Sequence, residues 1–115
     1  MSVNTPHTRD KTKISFIITS NVWLYPAQHG AWHFVSIPKN TSTHIKEFTK
    51  TLPRRGWGSV RVHVTMGNTM WNTSIFPDGK TGTYILPLNA RVRAKEGIAE
   101  GDAITFTIAL VKNAS

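Results

Sequence analysis

Arginine and aromatic side chains gather in one part of this chain. Arg54, Arg55, Trp57, Arg61, Trp71 and Ser74 fall within the stretch RRGWGSVRVHVTMGNTMWNTSIF, and Tyr84 follows shortly after it. A guanidinium group offers paired, planar donors that match the oxygens of a phosphate or carboxylate. An indole or phenol ring beside it offers a flat apolar wall. Together these residues predict the binding of an anionic or planar small ligand, held rather than transformed. Arg54 and Arg55 lie between Pro53 and the glycines that bracket Trp57, a junction of the kind that often carries binding groups. The competing reading is structural: tryptophans fill the ends of a core and arginines lie over them.

The other reactive side chains do not form a catalytic set. Ser74 lacks the glycine elbow of a hydrolase nucleophile and has no evident base. His29 and His33 are four apart, but a turn and a strand separate them, so they do not share one helical face as metal ligands would. The chain has no cysteine, which excludes disulfides, thiol nucleophiles and zinc–thiolate sites. Gly101-Asp102 reads as a structural step, because an aspartate in a turn readily accepts from backbone N–H groups. The expectation is a non-enzymatic protein with no metal and no cofactor.

Fourteen Lys and Arg against six Asp and Glu give a formal charge of +8. An anionic partner follows, either a small molecule or, as the alternative, nucleic acid. The basic residues are scattered rather than in a run, which favours the small anion. The polar N-terminus does not read as a signal peptide, and no apolar run is long enough to span a bilayer. These features predict a cytoplasmic protein without membrane contact.

The elements that must position the cluster follow from periodicity. Residues 1–13 and 112–115 read as polar tails around a single domain over 14–111. Ile14–Ile18 reads as a strand that Val22–Tyr25 extends, and Ala31–Ile37 as a second, stopped by Pro38. Asn40, Thr41 and Ser42 are candidate N-caps for a helix whose apolar face is Ile45, Phe48 and Leu52. Ser59–Met66 alternates, with Val60, Val62 and Val64 facing the core and Arg61, His63 and Thr65 facing away. Gly67-Asn68 then turns the chain into Thr69–Phe76, and Pro77-Asp78-Gly79 reads as the next turn. Thr83–Leu86 is a fifth strand ended by Pro87. Asn89 caps a short helix that closes at Gly97, and Ile104, Phe106, Ile108 and Leu110 alternate through a last strand.

This order repeats. Each half has a strand ending in an aliphatic-proline step, Ile37-Pro38 or Leu86-Pro87, then a helix, a glycine and an alternating strand. Two such halves can close their open edges on one another. The expectation is a mainly β protein with two short helices, a small closed six-stranded β-barrel made of two pseudo-repeated halves. Both halves lie in one chain, so a monomer is expected.

The residues Trp32-His33-Phe34-Val35, Arg54-Arg55-Gly56-Trp57-Gly58-Ser59-Val60-Arg61-Val62, Trp71 to Pro77, Tyr84-Ile85-Leu86-Pro87-Leu88 and Gly101-Asp102 resemble a bacterial domain-of-unknown-function family, the one numbered nineteen-oh-five. The resemblance runs from about Ile14 to Leu110. It implies a double-split β-barrel and carries no assigned activity. The second half, with Leu86-Pro87, Arg91, Arg93, Gly97-Ile98 and Gly101-Asp102, is also similar to the AbrB/MazE half-barrel. In that class two chains pair to complete one barrel and many members bind DNA. The resemblance therefore implies a pseudo-dimer within one chain, and an AbrB-like nucleic-acid regulator as the alternative function.

Overall fold

The computed structural model describes residues 13–27, 30–51 and 58–111. Eight elements follow one another: β1 (Lys13–Ala27), β2 (Gly30–Ser36), α1 (Lys39–Thr49), β3 (Val60–Met66), β4 (Thr69–Asp78), β5 (Thr83–Pro87), α2 (Ala90–Glu96) and β6 (Ala103–Val111). The expected tails lie outside the described residues, except that Lys13 opens β1. So do the Gln28-His29 turn and residues 52–57, which include Leu52, Pro53, Arg54, Arg55 and Trp57.

The six strands close into a barrel in the order β1-β2-β5-β4-β3-β6, each neighbouring pair antiparallel. β1 pairs with β2 and β6 as β4 pairs with β5 and β3. Four ladders join the halves, β1 with β6, β3 with β4, β2 with β5 and β3 with β6, and the last two are the seams at which equivalent strands of the two halves meet. Those seams are the edges that either half alone would leave open. The internal repeat thus becomes the closure of the barrel, in a single chain.

Alternation sets what lies inside. Val60, Val62, Val64 and Met66 of β3 are buried, as are Ile104, Phe106, Ile108 and Leu110 of β6. Val62 faces Leu110 and Val64 faces Ile108 across the seam. An eight-stranded barrel is just wide enough for side chains to fill, so six strands leave a narrower bore. Here side chains occupy it, and Val35, Ile37, Ile45, Ile75 and Leu86 are fully buried with them.

The helices cover the barrel's ends. α1 begins at Lys39 with Pro38 in the N-cap position and no side-chain cap. The candidate caps Asn40, Thr41 and Ser42 therefore fall inside its first turn. The φ of −52° at Pro38 already directs the chain towards a helix, and Ser42 is turned inward for another purpose. At α2 the Asn89 side chain accepts from the Val92 N–H at 2.9 Å. Gly97 ends that helix at φ 64°, a left-handed conformation suited to glycine. Seven residues hold as a helix because both ends are capped and Val92 is buried beside Leu88.

β1 is one strand of fifteen residues that joins Ile14–Ile18 to Val22–Tyr25, as the sequence reading expects. One boundary differs. β4 runs through Pro77 to Asp78, and the turn follows at residues 79–82. The Asp78 carboxylate accepts there from the Lys80 N–H and the Thr81 hydroxyl, each at 3.1 Å. Pro77 is tolerated because its partner Tyr84 bonds away from β4: the Tyr84 C=O accepts from the Ile37 N–H at 2.8 Å. The missing proline N–H therefore points to the side where β3 has already ended, at the Val60–Ile75 pair.

Candidate functional site

The outward residues of β3 and β4 form a polar array. Arg61 stands opposite Ser74, His63 opposite Asn72, and Thr65 opposite Met70. The His63 Nδ1–H donates to Asn72 Oδ1 at 2.7 Å. β6 and β1 continue the rows, with Ala109 and Ser15 beside His63, and Thr107 and Ile17 beside Thr65. Across residues 15–21, 61–65, 70–76 and 103–109 there is no Asp or Glu. Arg61 is exposed and lies near the barrel end that α1 covers, where Lys39, Lys46 and Lys50 are also exposed. Lys50 meets Glu47 at 3.3 Å, an exposed pair that contributes little stability.

Trp71 and Tyr84 turn the other way. Trp71 is buried opposite Val64, and its Nε1–H finds no acceptor among the described residues. Tyr84 is buried on β5, level with Pro77. Six residues of β4 separate that level from Trp71, about 20 Å at strand rise. Arg54, Arg55 and Trp57 lie outside the described residues. Of the seven expected ligand-binding residues, Arg61 and Ser74 therefore meet on the outer face, while Trp71 and Tyr84 sit inside and far from each other. The cause is the two-residue period of a strand: Trp71 and Ser74 differ in parity, so one faces in and the other out. His63 and Asn72 join Arg61 on that face. Their signal was the same alternation, which marks every residue between the inward valines.

Burial raises the Tyr84 phenol above its ordinary 10.0, and a hydrogen bond with the Thr49 side chain opposes this. The folded state thus holds the proton more tightly than the unfolded chain. That contribution to stability is complete below pH 10.0 and is lost as the pH rises through the higher folded value. Urea midpoints of the wild type are expected to fall between about pH 9 and about pH 11 more than those of Tyr84→Phe, which has no phenol to ionise. Parallel falls in both proteins would show that Tyr84 is not the group responsible.

Gly101 and Asp102 form the turn into β6. The Gly101 N–H donates to Val22 C=O at 2.8 Å, and the Val22 N–H donates to Asp102 C=O at 2.9 Å. The Asp102 carboxylate accepts from the Ala99 N–H at 2.8 Å. Gly101 has φ 90°, where other residues are strained. The two backbone bonds to Val22 pin the turn to β1, and the Asp102–Ala99 bond braces the turn internally.

Among the described residues no three His, Asp or Glu side chains gather in a way that could hold a metal ion. His33 sits on the inward side of β2, His44 is tilted against Phe16 at 6.3 Å, and His63 is engaged by Asn72. No helix among the described residues is long and apolar enough to cross a membrane.

No curated protein matches the chain in sequence. A family model described as a domain of unknown function, DUF1905, matches residues 19–108, from the middle of β1 through both seams into β6. The chain, a closed barrel of two pseudo-repeated halves, belongs to the DUF1905 family.

Proposed function

We propose that this chain is a non-catalytic binding module that holds an anionic, planar small ligand on the outer face of β3 and β4. Arg61 is the anchor, Ser74, His63 and Asn72 supply hydrogen bonds, and Arg54, Arg55 and Trp57, which precede β3 in the chain, belong to the same site. The observation that carries this reading is the lack of Asp and Glu across residues 15–21, 61–65, 70–76 and 103–109, which surround Arg61, in a chain of formal charge +8. An anion placed there meets the guanidinium and neutral donors, and a planar two-pronged donor favours phosphate or carboxylate. Ser74 has no hydrogen bond with His63, whose Nδ1 is engaged by Asn72, so this proposal assigns no nucleophile and base.

The test is a thermal-shift screen of phosphorylated and carboxylated small molecules on the wild type, Arg61→Lys and Arg61→Ala. A ligand at about a hundred times its Kd stabilises by about 2.7 kcal/mol, a readily measured rise in Tm. Arg61→Lys keeps the charge and loses the fork, so the rise should shrink; in Arg61→Ala it should vanish. Hits that stabilise all three proteins equally would remove Arg61 from the site. The nucleic-acid alternative draws support from Lys39, Lys46 and Lys50 near the same end of the barrel. Binding through several phosphates falls steeply with salt, whereas one small anion is less sensitive.

A further inference from the structure

The β1–β2 hairpin is longer than barrel closure requires. Pairing of β1 with β6 ends at Asn21–Ala103, and pairing of β2 with β5 ends at Phe34–Pro87. Beyond these, the His33 C=O still accepts from the Leu88 N–H at 2.9 Å, and the ladder from Tyr25–Trp32 to Ala27–Gly30 pairs only within the hairpin. The second half has no counterpart: with Pro38 and Pro87 as equivalent positions, its ladder stops at Asp78–Thr83, which matches Trp23–Phe34. The extra ladder is a two-stranded ribbon projecting from the barrel.

Its outward face is aromatic. Trp23 and Tyr25 of β1 share parity, as do Trp32 and Phe34 of β2, and Tyr25 stands directly opposite Trp32. Tyr25 is 59% exposed and Trp32 61% exposed, a large uncovered apolar area for one hairpin. Trp23 and Phe34 pack together at 5.1 Å between ring centroids, and the Trp23 indole N–H is fixed on Ser36 Oγ at 3.0 Å. The lower row is therefore held in place, while the upper pair is open. Rows on one strand face are about 7 Å apart.

We infer that this ribbon is a docking platform for an uncharged, proline-rich peptide segment in the polyproline II conformation. Charge separates the candidate occupants. From Ile14 to Pro38 the chain has no Asp, Glu, Lys or Arg, although the whole carries +8. A phosphate-bearing strand finds no counter-charge on the platform itself. In sequence, the Arg91, Arg93 and Lys95 charges of α2 are matched by Glu96, Glu100 and Asp102. A second copy would bring two strongly positive molecules together. An uncharged peptide meets neither obstacle.

Hydrogen-bonding capacity points the same way. A polyproline II segment has unpaired carbonyls, and its prolines have no N–H, so it is rich in acceptors and poor in donors. The platform offers the Trp32 indole N–H and the Tyr25 hydroxyl as donors, neither engaged by another described residue. One turn of three residues advances about 9 Å, enough to cover both rows. Exposed aromatic side chains are the kind of surface on which proline-rich segments dock.

The test uses the whole protein and decaproline as the probe, read by the indole N–H resonances of the tryptophans. Saturable shifts at the Trp32 indole, with the Trp71 indole unmoved, are expected. Trp32→Ala and Tyr25→Ala should keep the wild-type Tm, since both side chains are exposed, and each should weaken binding about ten-fold or more. Tyr25→Phe should weaken it less, because only the hydroxyl is lost. The inference is overturned if decaproline gives no saturable shift, or if a Gly-Ser peptide of equal length shifts Trp32 as strongly. It is also overturned if oligothymidylate alone moves that indole, or if light scattering shows a dimer that Trp32→Ala disperses. Arg61 variants should leave decaproline binding unchanged, so this result stands or falls apart from the anion site.

Discussion

Phe106→Ala is expected to lower the stability of the folded chain by about 3–5 kcal/mol. Phe106 is 2% exposed and is the largest of the fully buried side chains among the described residues. It points inward from β6, opposite Ile18 of β1, with Ile104 and Ile108 on either side of it along the strand. β6 is held on both flanks, by β1 and by β3, so no free edge can move in to fill the space. The cost is then the lost transfer energy of the ring plus a cavity that relaxes little. Natural domains carry only about 5–15 kcal/mol in total, so this variant approaches unfolding at moderate temperature. Urea denaturation should show a much lower midpoint with an unchanged slope. Thr105→Ala, on the outer side of the same strand, removes a 2.8 Å bond to Thr19 in water and should change stability by no more than about 0.5 kcal/mol. Equal losses in the two variants would mean that β6 does not have one dry face and one wet face, and the closed barrel would be wrong.

The contrast between neighbouring residues on one strand is also what made the fold legible. β3 and β6 spell their inward and outward faces in strict alternation, and the two aliphatic-proline steps mark the same point in each half. From these, six strands, two helices and closure follow without any alignment. Strand ends were less legible, because they depend on partners far away in the chain. Pro77 reads as a turn until one knows that β3 stops beside it. Asn40, Thr41 and Ser42 read as caps because all three residue types favour that position, and nothing local says that Pro38 takes it. The candidate site was legible in part. Arg61 and Ser74 meet because their positions give them one face. Trp71 and Tyr84 were grouped with them by residue type, and residue type does not fix the face. The aromatic ribbon was the least visible feature, since Trp23, Tyr25, Trp32 and Phe34 look like core residues until the register shows how far the hairpin outruns its neighbours.

Ser42→Ala is the second large expected loss, at about 2–4 kcal/mol for the removal of one oxygen. Ser42 is 1% exposed, on the first turn of α1. Its hydroxyl donates to the Ile37 C=O and accepts from the Tyr84 N–H, each at 3.0 Å. The reason lies at the seam between halves. The β2–β5 ladder ends with the Ile37 N–H donating to Tyr84 C=O, and Pro38 then turns the chain into α1. The Tyr84 N–H is left facing a place where no strand continues, and the Ser42 hydroxyl fills it. Alanine leaves a buried donor and a buried acceptor without partners, and each carries a desolvation penalty of about 1–3 kcal/mol. The helix itself is not weakened, since alanine is the better helix former. A fall in Tm of roughly 10 °C is expected from that loss in a domain of this size. Hydrogen exchange gives the decisive reading: the Tyr84 amide should exchange faster in Ser42→Ala than global unfolding accounts for, while Thr43→Ala, an exposed neighbour whose hydroxyl bonds Lys39 C=O, should leave it unchanged. A Ser42→Ala protein with wild-type Tm and a protected Tyr84 amide would show that the hydroxyl is not what closes this seam.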